Sequence, residues 1–261
     1  MAFINCDFFS ETLGFSTSMS VILPQETKRQ IGMEGSKKKE KYPTLYLLHG
    51  LSDDNTIWMR RTSIERYVAD LGIAVVMPNV SRGYYTDMAK GYKYFEFVSE
   101  ELIDLAQSFF PLSDKREDNF VAGLSMGGYG AFKLALARPE KFSAAASLSG
   151  SLDMASRVLE IPKEDAMRCE FENIFGDLHK LKGSNNDLFY LADKLIESDL
   201  PKPRLYQCCG TEDFLYKDNI EFKKYIEEKD IFDYTYEEGP GTHEWGYWDS
   251  KIKSVLKWIN Q

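Results

Sequence analysis

The chain has 261 residues, 43% of them hydrophobic, which suffices to bury the core of one large α/β domain or of two small ones. Its 32 basic and 41 acidic side chains leave a net charge of -9, which argues against nucleic acid or an anionic membrane surface as partner. The opening MAFINCDFFS has neither a basic head nor an extended apolar run, so no signal peptide or anchor is expected there. No stretch reaches the roughly 18 apolar residues of a spanning helix.

Taken in chain order, two β-rich segments at 2–9 and 18–23 lead into a charged loop at 25–41 that contains KKKEK. A strand at 44–48 is followed by a helix at 56–71, a strand at 74–78 and a helix at 94–110. A strand at 119–123 then precedes a helix at 126–138, and another strand is expected at 144–149. Residues 152–199 are longer than an ordinary connection and mix charges with Phe171, Phe175, Phe189 and Tyr190. A helical insertion of this kind, placed over the carboxyl ends of the strands, would form a cap. The chain closes with a strand at 204–209, a helix at 218–228, a strand at 233–237 and a helix at 249–260. This alternation, with no Pro/Gly/Ser-rich linker, predicts a single α/β domain over 1–261, built on a mostly parallel central sheet with helices on both faces.

The segment VAGLSMGGYG at 121–130 places a G-x-S-x-G pattern between the strand and helix at its centre. With Gly at about 7% of average composition, roughly one chain in ten of this length would carry the pattern by chance, so its surroundings carry the argument. A buried strand before it and a helix after it put the hydroxyl of Ser125 on a sharp turn, where it can act as a nucleophile. Glycines beside such a turn keep side chains from crowding it. The plain alternative is a glycine-rich turn packed for its own sake.

A serine hydroxyl needs a base, and the chain offers three histidines. His179 lies among charges in the insertion, and His49 ends a strand directly before Gly50, where a loop-shaping role suits it. His243, in the glycine-rich EEGPGTHEW after the last strand, can hang over the same carboxyl edge as Ser125, where catalytic groups of open parallel sheets converge. The imidazole in turn needs an acid. The turn of CCGTEDF supplies Asp213, the preferred residue, with Glu212 as its rival and Asp153 as a third choice. The oxyanion formed on attack needs preorganised donors, and the backbone N–H groups of Leu51 and Met126 are placed to provide them.

With these residues in place, the chain resembles the esterase D branch of the α/β-hydrolases, and within it the small bacterial tributyrin esterases. The resemblance is carried by YLLHGLSDDNTIW at 46–58, VAGLSMGGYGAF at 121–132, GTEDF at 210–214 and GTHEWGYW at 241–248, in that order along nearly the whole chain. It implies the α/β-hydrolase fold, with Ser125 as nucleophile, Asp213 as acid, His243 as base, and Leu51 and Met126 as oxyanion donors. It implies hydrolysis of short-chain acyl esters, acetylated sugars among them, without metal or organic cofactor. S-formylglutathione hydrolysis, acyl transfer to a sugar and a non-catalytic binding role are the alternatives. The four cysteines, Cys6, Cys169, Cys208 and Cys209, form no metal-binding spacing and fit a cytoplasmic chain with reduced thiols. The expected partner is a small-molecule ester, and the resemblance leaves room for a homo-oligomer whose neighbouring subunit walls the pocket.

Overall fold

The computed structural model describes residues 1–27, 29, 31–32 and 40–261. The charged loop expected at 25–41 therefore falls largely outside the described residues. Strands β1 (Ala2–Ser10) and β2 (Phe15–Leu23) form an antiparallel hairpin at one edge of an eight-stranded sheet. The remaining strands are β3 (Thr44–Leu48), β4 (Ala74–Pro78), β5 (Asn119–Leu124), β6 (Ala144–Leu148), β7 (Arg204–Gly210) and β8 (Tyr234–Gly239). They stand in the order β1-β2-β4-β3-β5-β6-β7-β8, parallel from β4 onward and antiparallel only where β2 meets β1 and β4. The sheet is thus mostly parallel but mixed. Strands β3 to β6 are buried at every residue, which is why they read as continuous apolar runs without alternation.

Helices α1 (Ile57–Arg61) and α2 (Ile64–Val68) lie between β3 and β4. Helix α3 (Tyr94–Glu96), a π-helical turn (Phe97–Glu101) and α4 (Leu102–Phe109) precede β5. Helix α5 (Met126–Ala137) follows it, and α6 (Met154–Glu160), α7 (Ala166–Phe175) and α8 (Leu188–Ile196) separate β6 from β7. Helices α9 (Tyr216–Lys229) and α10 (Trp245–Ile259) complete the chain. Because side chains alternate along a strand, Tyr46, Leu48, Val76 and Val121 enter a core with Leu102, Leu134 and Phe222. Their neighbours Leu45, Leu47, Val75 and Ala122 enter a second core with Ile57, Trp58, Ile64 and Ile252. Helices therefore cover both faces, as the α/β pattern requires.

The helix expected at 56–71 is two helices. Thr62 is extended (φ -134, ψ 172); its N–H and its hydroxyl both donate to the Trp58 carbonyl, at 3.1 and 2.6 Å, and its Oγ1 accepts the Ile64 N–H at 3.1 Å. One side chain thus ends the first helix and starts the second. Strand β2 begins at Phe15 rather than 18, and the last helix at Trp245 rather than 249. The insertion at 152–199 is helical as expected, and its aspartates explain where its helices start. Asp153, Asp165 and Asp187 accept the N–H groups of Ser156, Met167 and Phe189, capping α6, α7 and α8. Rings of α7 lie against the sheet's loops: Phe171 and Phe175 meet Tyr84 edge-on at 5.4 and 5.7 Å.

Trp58 ties α1 to the sheet, since it is 1% exposed and its Nε1–H donates to the Leu48 carbonyl at 3.0 Å. Trp58→Ala is expected to cost about 3–5 kcal/mol in urea unfolding through the cavity and the lost bond. A loss below about 1 kcal/mol would show that α1 does not depend on this contact.

Candidate functional site

Strand β5 ends at Leu124 and α5 begins at Met126, so Ser125 alone makes the turn between them, with φ 53 and ψ -117. A left-handed non-glycine conformation of this sort costs on the order of 1–3 kcal/mol and persists only where its surroundings enforce it. Here the Ser125 N–H donates to the Leu148 carbonyl at 2.9 Å, while its own carbonyl accepts from Tyr129 and Ser151 at 3.1 and 3.3 Å. The flanking glycines have a steric cause. A Cβ on Gly123 would stand 2.4 Å from the Gly127 backbone, and one on Gly127 would stand 2.6 Å from the Leu48 carbonyl oxygen. Helix and sheet can approach this closely only through backbone without side chains.

His243 reaches Ser125 from the loop after β8. Its Nε2 lies 3.0 Å from Ser125 Oγ, and its Nδ1 lies 3.0 and 2.9 Å from the two carboxylate oxygens of Asp213. In this geometry Nδ1–H donates to the carboxylate, and Nε2 is left to accept the serine hydroxyl. The Asp213 side chain is fully buried and also accepts the Leu215 N–H at 2.8 Å. Burial alone would raise its pKa, but the bonds from His243 and Leu215 favour the charged form and hold it below the ordinary range.

Of the three carboxylates considered from the sequence, only Asp213 meets the ring. Glu212 accepts the Gly241 N–H at 2.6 Å, and its own N–H donates to the Gly241 carbonyl at 3.1 Å, so it ties down the loop that carries His243. Asp153 caps α6. Two aromatic rings fix the imidazole's plane: Phe214 at 4.5 Å and Trp248, edge-on, at 4.8 Å between centroids. Both fall within the GTEDF and GTHEWGYW stretches, but periodicity does not reveal them, because they become neighbours only when the last two loops meet.

Leu51 follows Gly50 at the end of β3. A Cβ on Gly50 would stand 3.9 Å from Ser125 Cβ, which brings this turn beside the serine. Met126 opens α5, so its N–H is one of those that a helix leaves without an internal acceptor. His49 shapes the turn from beneath. Its Nδ1–H donates to the Gly50 carbonyl at 2.7 Å, and its Nε2 accepts the Val80 N–H at 3.1 Å. Burial pushes its pKa down to about 4, so it sits as a neutral strut. The Tyr85 hydroxyl donates to the His49 carbonyl at 3.0 Å. His179 lies apart in the insertion, on the surface of a different cavity.

Ser125 and Leu51 open on a cleft of about 480 Å³, whose other walls include Tyr84, Arg157, Met167, Phe171 and Phe214. Most of that wall comes from α6, α7 and the turn between them, so the 152–199 insertion borders the serine. Among the aromatics near the strand ends, Tyr84 lines the cleft, whereas Trp58 and Tyr85 are buried beneath it. Trp245 packs between Trp58 and Trp248. Backbone strain gathers on the same edge of the sheet: Ser81, Tyr84, Tyr85, Ser125 and Ser149 all have φ between 48 and 53. Among the described residues, no group of three or more His, Cys, Asp or Glu side chains converges as metal ligands would. No helix among them is long and apolar enough to cross a membrane.

Three comparisons bear on this site. The model of the Esterase family matches residues 10–259. An acetyl esterase of Caldicellulosiruptor saccharolyticus is 33% identical over 266 residues, covering 100% of this chain and 99% of that protein. Two Staphylococcus aureus structures are each 39% identical and cover 100% of this chain. One is the substrate-bound fluorophosphonate-binding serine hydrolase F, at TM-score 0.88 and 98% of its own chain. The other is an S-formylglutathione hydrolase, at TM-score 0.85 and 99% of its own chain.

The buried His49 makes stability depend on pH. Its folded-state pKa of about 4 lies below the ordinary 6.5, so the unfolded chain takes up the proton first and stability falls as pH drops through that window. Between about pH 7 and pH 4 the loss attributable to this group is about 3 kcal/mol. Urea unfolding of the parent and of His49→Gln across this range should show the parent losing that much more; parallel curves would contradict the assignment.

Proposed function

From the premise that this chain belongs to the Esterase family and is a serine carboxylic ester hydrolase, we propose that Ser125 is its nucleophile, His243 its general base and Asp213 the acid that orients the base. The reading rests above all on the unbroken chain of contacts from Ser125 Oγ through the imidazole to the buried carboxylate. Leu51 and Met126 are the oxyanion donors.

The geometry supports a two-step acyl transfer. Ser125 Oγ attacks the ester carbonyl carbon while its proton passes to His243 Nε2. The carbonyl oxygen becomes an oxyanion, held by the N–H groups of Leu51 and Met126. Its collapse breaks the bond to the alcohol oxygen, which leaves with the proton from His243. Water then attacks the acyl-enzyme with His243 accepting its proton, and collapse of this second intermediate breaks the bond to Ser125 Oγ, which takes the proton back from His243 as the carboxylic acid leaves. Asp213 keeps Nδ1 protonated throughout and stabilises the imidazolium formed in each step.

Short acyl esters, acetyl esters among them, are the substrate class we favour, because a cleft of about 480 Å³ beside the serine suits a small acyl group and a compact alcohol, and because a full-length relative is an acetyl esterase. Tributyrin and acetylated sugars are members of that class. We read residues 1–261 as one α/β-hydrolase domain in which 152–199 is the cap that selects the alcohol. All four cysteines are free thiols, which suits the cytoplasm. A thioesterase reading has its own support in the S-formylglutathione hydrolase relative.

Substitution Ser125→Ala is expected to lower turnover of a small ester by up to about 10⁶-fold with folding intact. Unchanged hydrolysis would exclude Ser125 as nucleophile. Asp213→Asn should cost on the order of 10³–10⁴-fold in kcat, because the amide leaves the imidazole in the wrong tautomer. Glu212→Gln should cost far less, and the reverse ranking would move the acid role to Glu212. Comparing kcat/KM for acetyl and butyryl esters with that for S-formylglutathione separates the two substrate readings. A thioester value higher by an order of magnitude or more would replace the ester reading.

A further inference from the structure

A second cavity of about 580 Å³ lies between α5, α8 and the segment ahead of α3, and shares no lining residue with the Ser125 cleft. At its floor is Lys133, a cation in the otherwise apolar helix segment AFKLALA and only 2% exposed. Its ammonium donates to Thr86 Oγ1 at 2.7 Å and to Asn186 Oδ1 at 2.6 Å, and lies 5.1 Å from the centre of the Phe95 ring. Both oxygen acceptors are uncharged. A buried lysine held by neutral partners is costly in its charged form, and nothing in the proposed ester chemistry uses it.

The charged groups that line the cavity with Lys133 are Asp87, Arg138 at the end of α5 and Lys194 on α8. Arg138 also pairs with Glu100 at 2.6 Å, and Lys194 reaches Asn185 Oδ1 at 3.4 Å. Tyr129, one turn earlier on α5, donates its hydroxyl to the Asn186 carbonyl at 2.8 Å, and the buried Asp187 lies beyond it as the α8 cap. With Arg138 held by Glu100, Lys133 and Lys194 face the single carboxylate of Asp87, so this lining is cationic when Lys133 is protonated, although the protein as a whole carries -9. The remaining walls combine the polar Asn185, Asn186 and Ser198 with an apolar side formed by Phe95, Leu136, Leu191 and Leu195. An inorganic anion would satisfy the cations and leave that apolar side uncovered.

We propose that this cavity is a binding site for a small organic carboxylate, whose anionic end accepts from Lys133 near Lys194 and whose hydrocarbon end packs on Phe95, Leu136 and Leu191. The anion supplies the counter-charge that Thr86 and Asn186 do not. In the free protein, burial pushes the Lys133 amine down to about 7 against the opposing pull of Asp87. A bound carboxylate raises it again, so binding takes up a proton. Affinity is then level below about pH 7 and falls about tenfold for each pH unit above it, until the bound-state pKa is reached.

Calorimetric titration of butyrate into the full chain tests the site, with inorganic phosphate as the second probe. Saturable butyrate binding is expected near pH 6, weaker by about tenfold or more near pH 8.5. Lys133→Met should abolish it. Lys194→Met, an exposed position, should weaken it several-fold while leaving ester hydrolysis unchanged, and it carries the test with the pH comparison if Lys133→Met fails to fold. Absence of saturable butyrate binding up to about 10 mM would overturn the proposal. So would binding that neither lysine substitution weakens, or phosphate binding as tight as butyrate, which would make the cavity a general anion site.

Discussion

The rest of the structure depends on one strained residue. Ser125 can hold φ 53 only because the Leu148 carbonyl, the Tyr129 and Ser151 N–H groups and two glycines leave its backbone no alternative. That conformation places the hydroxyl above the sheet's carboxyl edge, at the start of a helix whose first N–H groups have no internal acceptor. Everything else at the site is arranged around this fixed point. His49, buried and neutral, braces the Gly50 turn from below, and Glu212 braces the His243 loop from the side. The parallel strands converge their ends on one edge, so residues from four connections meet although the chain separates Ser125 from His243 by 118 positions.

Two levels of construction can be distinguished. The sheet and the turns after β3, β5, β7 and β8 set the reacting groups to within hydrogen-bonding distance. Helices α6 and α7 border those groups, with Arg157, Met167 and Phe171 forming a wall of the cleft. The Ser125–His243–Asp213 contacts and this wall therefore sit on separate parts of the fold. The contacts of Tyr84 with Phe171 and Phe175 join the two levels, since Tyr84 lines the cleft from the sheet side and supports α7.

Much of this could be read from the residues. The buried strands β3 to β6 announced themselves as continuous apolar runs, and the glycines around Ser125 marked a close approach that the structure places at 2.4–2.6 Å. Other features depend on three-dimensional meeting points. No pattern separates Asp213 from Glu212, adjacent carboxylates in one turn, until the β8 loop arrives and engages each in a different way. The break at Thr62 was hidden because a threonine is tolerated inside a helix, and only its bonds to Trp58 and Ile64 show that it ends one helix and begins another. Lys133 drew no reading from the sequence, because its cavity forms only when α8 packs on α5.

The central claim is that Ser125 Oγ is the nucleophile that becomes acylated. Rapid acid quench of the enzyme during turnover of a butyryl ester, followed by digestion and mass spectrometry, tests it directly. The account predicts one butyryl group per chain on the peptide that contains Ser125, lost with time as water completes the second step. An acyl group on any other residue, or turnover with no acyl-enzyme trapped on Ser125 when release of the alcohol runs ahead of release of the acid, would contradict it.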